Sequence, residues 1–317
     1  MPVADLAKKY RIDNPKTFRL TAYDPSDTGG LDLDKDAAAQ IVADNAKQLR
    51  DLQEKLFAQD QWAILIILQG MDAAGKDGVI EHVMSGINPQ GFQIHSFKAP
   101  NDKELSHTFL WRAMRELPER GYIGIHNRSH YEECLVVRVH PEYLKKQKIP
   151  SRLVTRNIWK ERYDDICAFE RHLARNGTVV LKFHLRISRD EQRRRFLERI
   201  DEPGKRWKFN MGDVAERGLW DKYMAAYQDT IQHTTTPEAP WFVVPSDKKW
   251  FARLVVSTVL LETMKGLNLQ FPAVEGDALA ELKKVRTLLA AETSTKGGRS
   301  NGKPGKTNNA SKAGVKA

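Results

Sequence analysis

The sequence predicts an α/β fold, a mostly parallel five-stranded sheet flanked by helices, and three observations predict it. Short apolar runs alternate with longer stretches of helical periodicity along most of the chain. One run, WAILIILQG (62–70), is apolar on both faces, as a strand in the middle of a parallel sheet must be. A glycine-rich loop follows it directly. After the loop, Val79, Ile80, Val83, Met84 and Ile87 recur at helical spacing.

Taken in order, residues 1–34 read as irregular, with turn signals at Asp24-Pro25 and Gly29-Gly30. Lys35 to Gln59 reads as a helix whose stripe of Val42, Ala46, Leu49, Leu52 and Leu56 packs on the chain's own core. Further strands are expected at 92–97, 121–127, 178–187 and 240–245. The run 178–187 alternates, which predicts one buried face of Val179, Leu181, Phe183, Leu185 and Ile187. Helices are expected at 104–116, 158–175, 189–200 and 247–266. The predicted organisation is an irregular segment and packing helix (1–60), the α/β domain (61–270), a C-terminal helix (271–292) and a disordered basic tail (293–317).

Composition excludes several function classes. The 317 residues are 41% hydrophobic and 29% charged, with mean hydropathy −0.55. No run approaches the roughly 18 apolar residues of a membrane span, so no membrane partner is expected. The start, MPVADLAKKYRID, has no apolar core of a secretory leader, and a cytoplasmic protein is expected. Cys134 and Cys167 read as two reduced thiols, and no zinc-type spacing is present. The tail carries Lys296, Arg299, Lys303, Lys306, Lys312 and Lys316 without an acid, so the body holds only about +4 of the net +10. No aromatic platform is interleaved with the basic clusters, and no specific nucleic-acid partner is expected.

The chemistry concentrates in GMDAAGKDG, residues 70–78. Gly70, Gly75 and Lys76 keep the spacing of a phosphate-binding P-loop, but Asp77 stands where a magnesium-binding Ser or Thr belongs. In such a loop the backbone N–H groups, including those of Ala73 and Ala74, cradle phosphate oxygens, and the lysine follows the transferred phosphoryl group. Asp72 and Asp77 are two hard oxygen ligands beside that cradle, which suits Mg²⁺ or Mn²⁺. The acid expected at the end of a neighbouring strand is replaced by Asn127, which can hold a metal-bound water. Arg128, next in the chain, is placed to reach the phosphates from the carboxyl ends of the strands. His126 and His130 read as structural.

A second cluster lies in SRDEQRRRFLERID (188–201). Ser188 and Glu191 form a capping-box signature, and Phe196, Leu197 and Ile200 mark the expected apolar side. Arg193, Arg194, Arg195 and Arg199 then lie on or near the other side. Guanidiniums gathered in this way call for an anion, and the position after the fourth strand suits a lid, at about 188–220, that closes over phosphates.

Together, GMDAAGKDG, FKAPNDKELSHTFLWR, IGIHNRSHYEE, the arginine helix and PWFVVPSDKKWFARL resemble the polyphosphate kinase 2 family, over about Asn14 to Asn268. The resemblance implies a P-loop kinase fold with an arginine-bearing helical lid. It implies transfer of the terminal phosphoryl group of inorganic polyphosphate onto ADP or AMP, giving ATP or ADP, by a Mg²⁺-dependent, reversible, homo-oligomeric enzyme. Asp72 would hold the metal, Lys76 the transferred phosphate and Arg128 the bridging region, with Arg189, Arg193 and Arg195 in the lid. HNRSHYEE, where diphosphate-specific members often read FDRS, looks like the subgroup that accepts both AMP and ADP. Arg112 and Glu133 are candidates for the acceptor pocket. An ATP-dependent nucleoside monophosphate kinase on the same fold is the alternative.

Overall fold

A computed structural model describes residues 2–295, in two units that divide between Phe271 and Pro272. The first unit holds a five-stranded sheet, parallel throughout, in the order β2-β3-β1-β4-β5. The strands are β1 (Ala63–Gln69), β2 (Phe92–Ser96), β3 (Ile123–Asn127), β4 (Thr178–Arg186) and β5 (Trp241–Pro245). Every residue of β1 is buried, because it pairs with β3 on one side and β4 on the other. Register sets Leu68 beside Asn127 and Gln69 beside His184, so the strands deliver their carboxyl ends to one place. That is the edge where open α/β sheets bind ligands.

Helix α1 (Lys35–Gln59) starts at Asp34, whose carboxylate caps the Asp36 and Ala37 N–H groups. Its stripe lies against the last long helix of this unit, Lys249–Gly266, and Asn45 Nδ2 donates to Ser257 Oγ at 3.1 Å between them. Helix α2 (Lys76–Val83) follows the glycine loop, and α3 (Ile158–Arg175) precedes β4. After β4 come α4 (Arg189–Asp201), α5 (Met211–Gly218) and α6 (Trp220–Thr234), then β5 and α7 (Lys249–Gly266). Helix α6 escaped the sequence reading, although Trp220, Tyr223, Tyr227 and Ile231 are spaced for it and all are buried. The irregular N-terminal segment covers the β5 edge. Ile12 N–H bonds to Trp241 O and Val243 N–H to Tyr10 O, each at 2.9 Å, which satisfies backbone groups an open edge would leave unpaired.

Two sequence expectations need correction. The stretch 104–116 is two short helices, Asp102–Leu105 and Trp111–Arg115. Ser106 Oγ donates to Asp102 O at 2.9 Å, and His107 Nδ1 pairs with Lys103 O at 2.7 Å, so side chains take the carbonyls that a continuing helix needs. The alternation of 178–187 does not leave a wet face either. Lys182 and His184, the polar partners in the pattern, are 0% and 1% exposed. Helices cover both faces of a parallel sheet, and Lys182 is accommodated by three acceptors: Glu170 Oε2 at 2.5 Å, Thr234 O at 2.6 Å and the Tyr131 hydroxyl at 3.0 Å.

In the second unit α8 (Gly276–Thr295) begins and ends later than the expected 271–292. The remainder of the expected basic tail, 296–317, lies outside the described residues. Among the described residues no helix is long and apolar enough to cross a membrane.

The buried ion pair makes a specific demand. Lys182→Met strands the Glu170 carboxylate in the core and is expected to cost about 3–5 kcal/mol in urea unfolding. Adding Glu170→Gln should return at least about 1 kcal/mol, the coupling expected of touching residues; strictly additive losses would show that the pair is not coupled. His126, 1% exposed with Nε2 on Glu116 O at 2.8 Å, is held neutral: burial pushes its pKa down to about 4. Below pH 6.5 the unfolded chain takes up a proton that the native state refuses, so stability falls as pH drops towards 4. The loss is on the order of 3 kcal/mol by that pH. His126→Phe should flatten this limb of the pH–stability curve, and an unchanged slope would assign the acid sensitivity elsewhere.

Candidate active site

From Gln69 the chain turns through the loop before α2 starts at Lys76. Two glycines are needed there for separate reasons. A Cβ added to Gly70 would sit 2.8 Å from the Leu185 carbonyl oxygen, so only glycine lets the loop press onto β4. Gly75, the N-cap of α2, has φ +106, where any side chain is strained. Ala73 is also left-handed, at φ 63, which costs roughly 1 kcal/mol or more for a residue with a Cβ. Ala74 N–H closes the turn on Met71 O at 3.0 Å.

Lys76 is 8% exposed and donates to Gly70 O at 2.8 Å and to Met71 O at 3.4 Å. Burial first, then the Arg128 charge, push its pKa down to about 8. Arg128 adopts φ 63, and its N–H extends the sheet bonding to Leu68 O at 3.0 Å. Its guanidinium pairs with Asp72 in the loop and with Glu132 at 3.3 Å. The Glu132 charge is the main reason that its pKa is pushed up. Asn127 turns towards α2, where its Nδ2 donates to Asp77 Oδ1 at 2.7 Å.

A cavity of about 900 Å³ opens over the loop. Its wall brings together Asp72, Ala73, Ala74, Gly75, Lys76 and Asp77 with Asn127, Arg128, Arg195 and Arg199. Lys205, Lys249, Arg253 and Asp213 join them, and the sequence reading missed all four. Lys249 and Arg253 stand one turn apart at the start of α7, a spacing visible in KKWFAR. Asp213 comes from α5 and faces Arg199 at 3.7 Å; burial and then the Asp72 charge push its pKa up.

The arginine helix is arranged differently from its pattern. Ser188 Oγ caps Glu191 N–H at 3.1 Å, but the reciprocal half of the box is absent. Ser188 N–H instead bonds Asp247 Oδ1 at 2.7 Å, and the Glu191 carboxylate goes to Arg194 and Arg195, each at 2.7 Å. The buried face is Gln192, Arg195 and Phe196, whereas Leu197 and Ile200 are exposed. Arg195 ties the loop down: it donates to Ala73 O at 2.8 Å and Ala74 O at 3.1 Å, and to Ser246 O and Asp247 O before α7 at 2.6 and 2.9 Å. Arg194 pairs with Glu191 and Glu198 on its own helix and stays outside the cavity wall. Arg189 and Arg193 are also exposed and outside it. They stand near Arg217, which donates to Arg189 O at 2.6 Å and whose pKa is lowered by burial and then by their charges.

A second cavity, about 490 Å³, lies beside the first, and its wall includes Phe97, Arg112, Glu133, Tyr143 and Lys146. Arg112 donates to Lys98 O at 2.7 Å and stacks over Phe97. Glu133 is held by Arg162 at 2.8 Å and by Gln147 at 2.5 Å. Arg128 lines both cavities. Of the two histidines read as structural, His126 lines neither cavity, while His130 is buried against Glu170 at 3.8 Å and reaches the second wall.

The arrangement sets two chambers side by side, one rich in cations over the glycine loop, the other partly aromatic, joined at one guanidinium, which suits chemistry on anionic groups. Among the described residues no group of three or more His, Cys, Asp or Glu is arranged to hold a metal ion unaided, and the hard oxygen donors at the loop are Asp72 and Asp77.

Comparison with known proteins identifies the family. The chain is 49% identical over 283 residues to "ADP-polyphosphate phosphotransferase" of Rhodopseudomonas palustris, covering 89% of this chain and 98% of that protein. It is 46% identical over 268 residues to "AMP/ADP-polyphosphate phosphotransferase" of Meiothermus ruber, covering 84% and 96%. The crystal structure of Polyphosphate Kinase 2 from Arthrobacter aurescens TC1 superposes with a TM-score of 0.82 at 40% identity, covering 90% of this chain and 96% of that one. Residues 32–272 match the family described as Polyphosphate kinase 2 (PPK2), and the chain belongs to that family.

Proposed function

We propose that this protein is a phosphotransferase that moves the terminal phosphoryl group of inorganic polyphosphate onto ADP and AMP, making ATP and ADP. The observation that carries the reading is the position of Arg128 between the two cavities. A donor chain of phosphates suits the larger one, where Lys76, Arg199, Lys205, Lys249 and Arg253 supply charge along its length. An acceptor nucleotide suits the smaller one, with Arg112 for its phosphate and Phe97 and Tyr143 as apolar walls. The named activities of the Rhodopseudomonas and Meiothermus relatives support the same reading.

Phosphoryl transfer passes through a loose transition state whose charge spreads over three equatorial oxygens, so catalysis needs positioning and neutralisation rather than a protein nucleophile. The loop N–H groups hold the donor's terminal phosphate, and Lys76 shifts from its backbone acceptors onto the transferred group. Arg128 exchanges Asp72 for the oxygen bridging donor and acceptor. Arg199 and Lys205, from the lid side, neutralise the departing chain. A divalent cation, Mg²⁺ or Mn²⁺, fits the donor set, since Mg²⁺ is commonly held by one or two carboxylates with substrate phosphates completing its shell. Asp72 and Asp77 would hold it, and it would neutralise charge on the phosphates.

Incubating the pure protein with Mg²⁺ and long-chain polyphosphate, without ATP, should yield ATP from ADP and ADP, then ATP, from AMP. Product only when ATP replaces polyphosphate would move the protein to the alternative kinase reading. Lys76→Met and Asp72→Asn should each lower kcat by about 10²–10³-fold, the scale of losing one group that stabilises transition-state charge; a loss under tenfold would remove either from the machinery. Arg112→Ala should raise the KM for AMP by about tenfold, the scale of one charge-assisted hydrogen bond, and leave that for polyphosphate unchanged. The opposite split would place Arg112 on the donor side.

A further inference from the structure

Asp77 and Asn127 depart from the P-loop pattern in opposite senses, and the structure puts the two departures in contact. Ordinarily a hydroxyl follows the loop lysine and a carboxylate ends the neighbouring strand. Here the carboxylate follows the lysine, and an uncharged amide ends β3. Asn127 Nδ2 donates to Asp77 Oδ1 at 2.7 Å. An ionised carboxylate only accepts, so this contact fixes the amide: its NH₂ faces Asp77 and its Oδ1 is left for another partner. Both residues line the cavity that holds Lys76, so the pair faces the cradle.

We propose that Asp77 and Asn127 are an exchanged pair. The one anionic oxygen that this pair offers a divalent cation sits on the first turn of α2 instead of at the end of β3, and Asn127 is the positioning residue that aims it. The inference rests on the phosphotransferase reading above and adds to it which of the two positions carries the charge. The exchange conserves one hydrogen bond and one negative charge. Changing either residue alone does not. With carboxylates at both positions, two like charges meet with no donor between them, and with amides at both the charge is gone. Placing the anion at a helix N-terminus is also favourable in itself, because the unpaired N–H groups there carry partial positive charge. That second effect is the rival explanation: Asp77 could serve α2 alone.

The two are separated by how strongly metal assists phosphate binding, a coupling that needs no turnover. Inorganic triphosphate is titrated calorimetrically into the full-length protein, with Mn²⁺ and again with chelator, and the ratio of the two dissociation constants is the coupling factor. Four proteins are compared: wild type, D77N, N127D and the double exchange D77N/N127D, all nearly isosteric, with thermal unfolding run beside each. In wild type Mn²⁺ should tighten triphosphate binding at least tenfold. D77N, which leaves Asp72 in place, should cut the factor by about fivefold or more, and D77N/N127D should restore it to within about twofold of wild type. In N127D chelator-treated binding should weaken and the factor should exceed wild type. A D77N protein with lower thermal stability but an undiminished factor would assign Asp77 to the helix alone and overturn the pair. So would a double exchange no better than D77N. If wild type binds triphosphate under neither condition, the phosphotransferase reading itself fails and the pair with it.

Discussion

The site depends on a close approach of backbone to backbone. Gly70 lies against the Leu185 carbonyl of β4, where no side chain fits, and this contact sets the height at which the loop crosses the end of the sheet. From there the chain closes the Ala74–Met71 turn and enters α2 through a left-handed Gly75. An arginine from elsewhere then holds the result. Arg195 takes the outward carbonyls of Ala73 and Ala74 and ties them to the start of α7. With Ala73 O and Ala74 O bonded to a guanidinium, two carbonyl oxygens that would repel an anion are neutralised.

The same region concentrates positive charge, and the structure balances it without ligands. Asp72 and Glu132 share Arg128, Asp213 faces Arg199, and Glu198 takes Lys205 at 2.5 Å. Lys76 is the least compensated of these cations; burial lowers its pKa and its ammonium leans on two carbonyls. On the proposed reading, phosphates entering the cavity would replace these internal partners. Binding would then exchange one set of ion pairs for another and free carboxylates such as Asp72.

The fold was largely legible because its signals are local. A run apolar on both faces, a glycine loop and an amphipathic helix identify β1, the cradle and α2 within 25 residues of sequence. That Lys76, Asp72, Arg128 and Asn127 meet in one cavity was legible for the same reason: each sits at a fixed offset from the end of a strand. The arginine helix was harder. Composition identified the cluster, but Arg195, expected beside Arg199 as a phosphate ligand, is committed to backbone carbonyls, and Arg194 faces its own helix. Periodicity put Leu197 and Ile200 inside, whereas Gln192 took that face because its amide reaches Asp72 O at 3.0 Å. Polar residues that bond across the interface carry no apolar signal.

Sequence by itself determined the parallel α/β class, the position of the glycine loop between β1 and α2, and the family, since each follows from spacing along the chain or from short contiguous motifs. Tertiary structure alone decided which cations face the cradle, that Arg128 stands between two chambers, and that Asp77 and Asn127 touch across 50 positions of sequence. The physical reason is range. Backbone geometry and hydrophobic period act between neighbours, whereas charge pairing is settled by which ends of which strands the sheet order brings together.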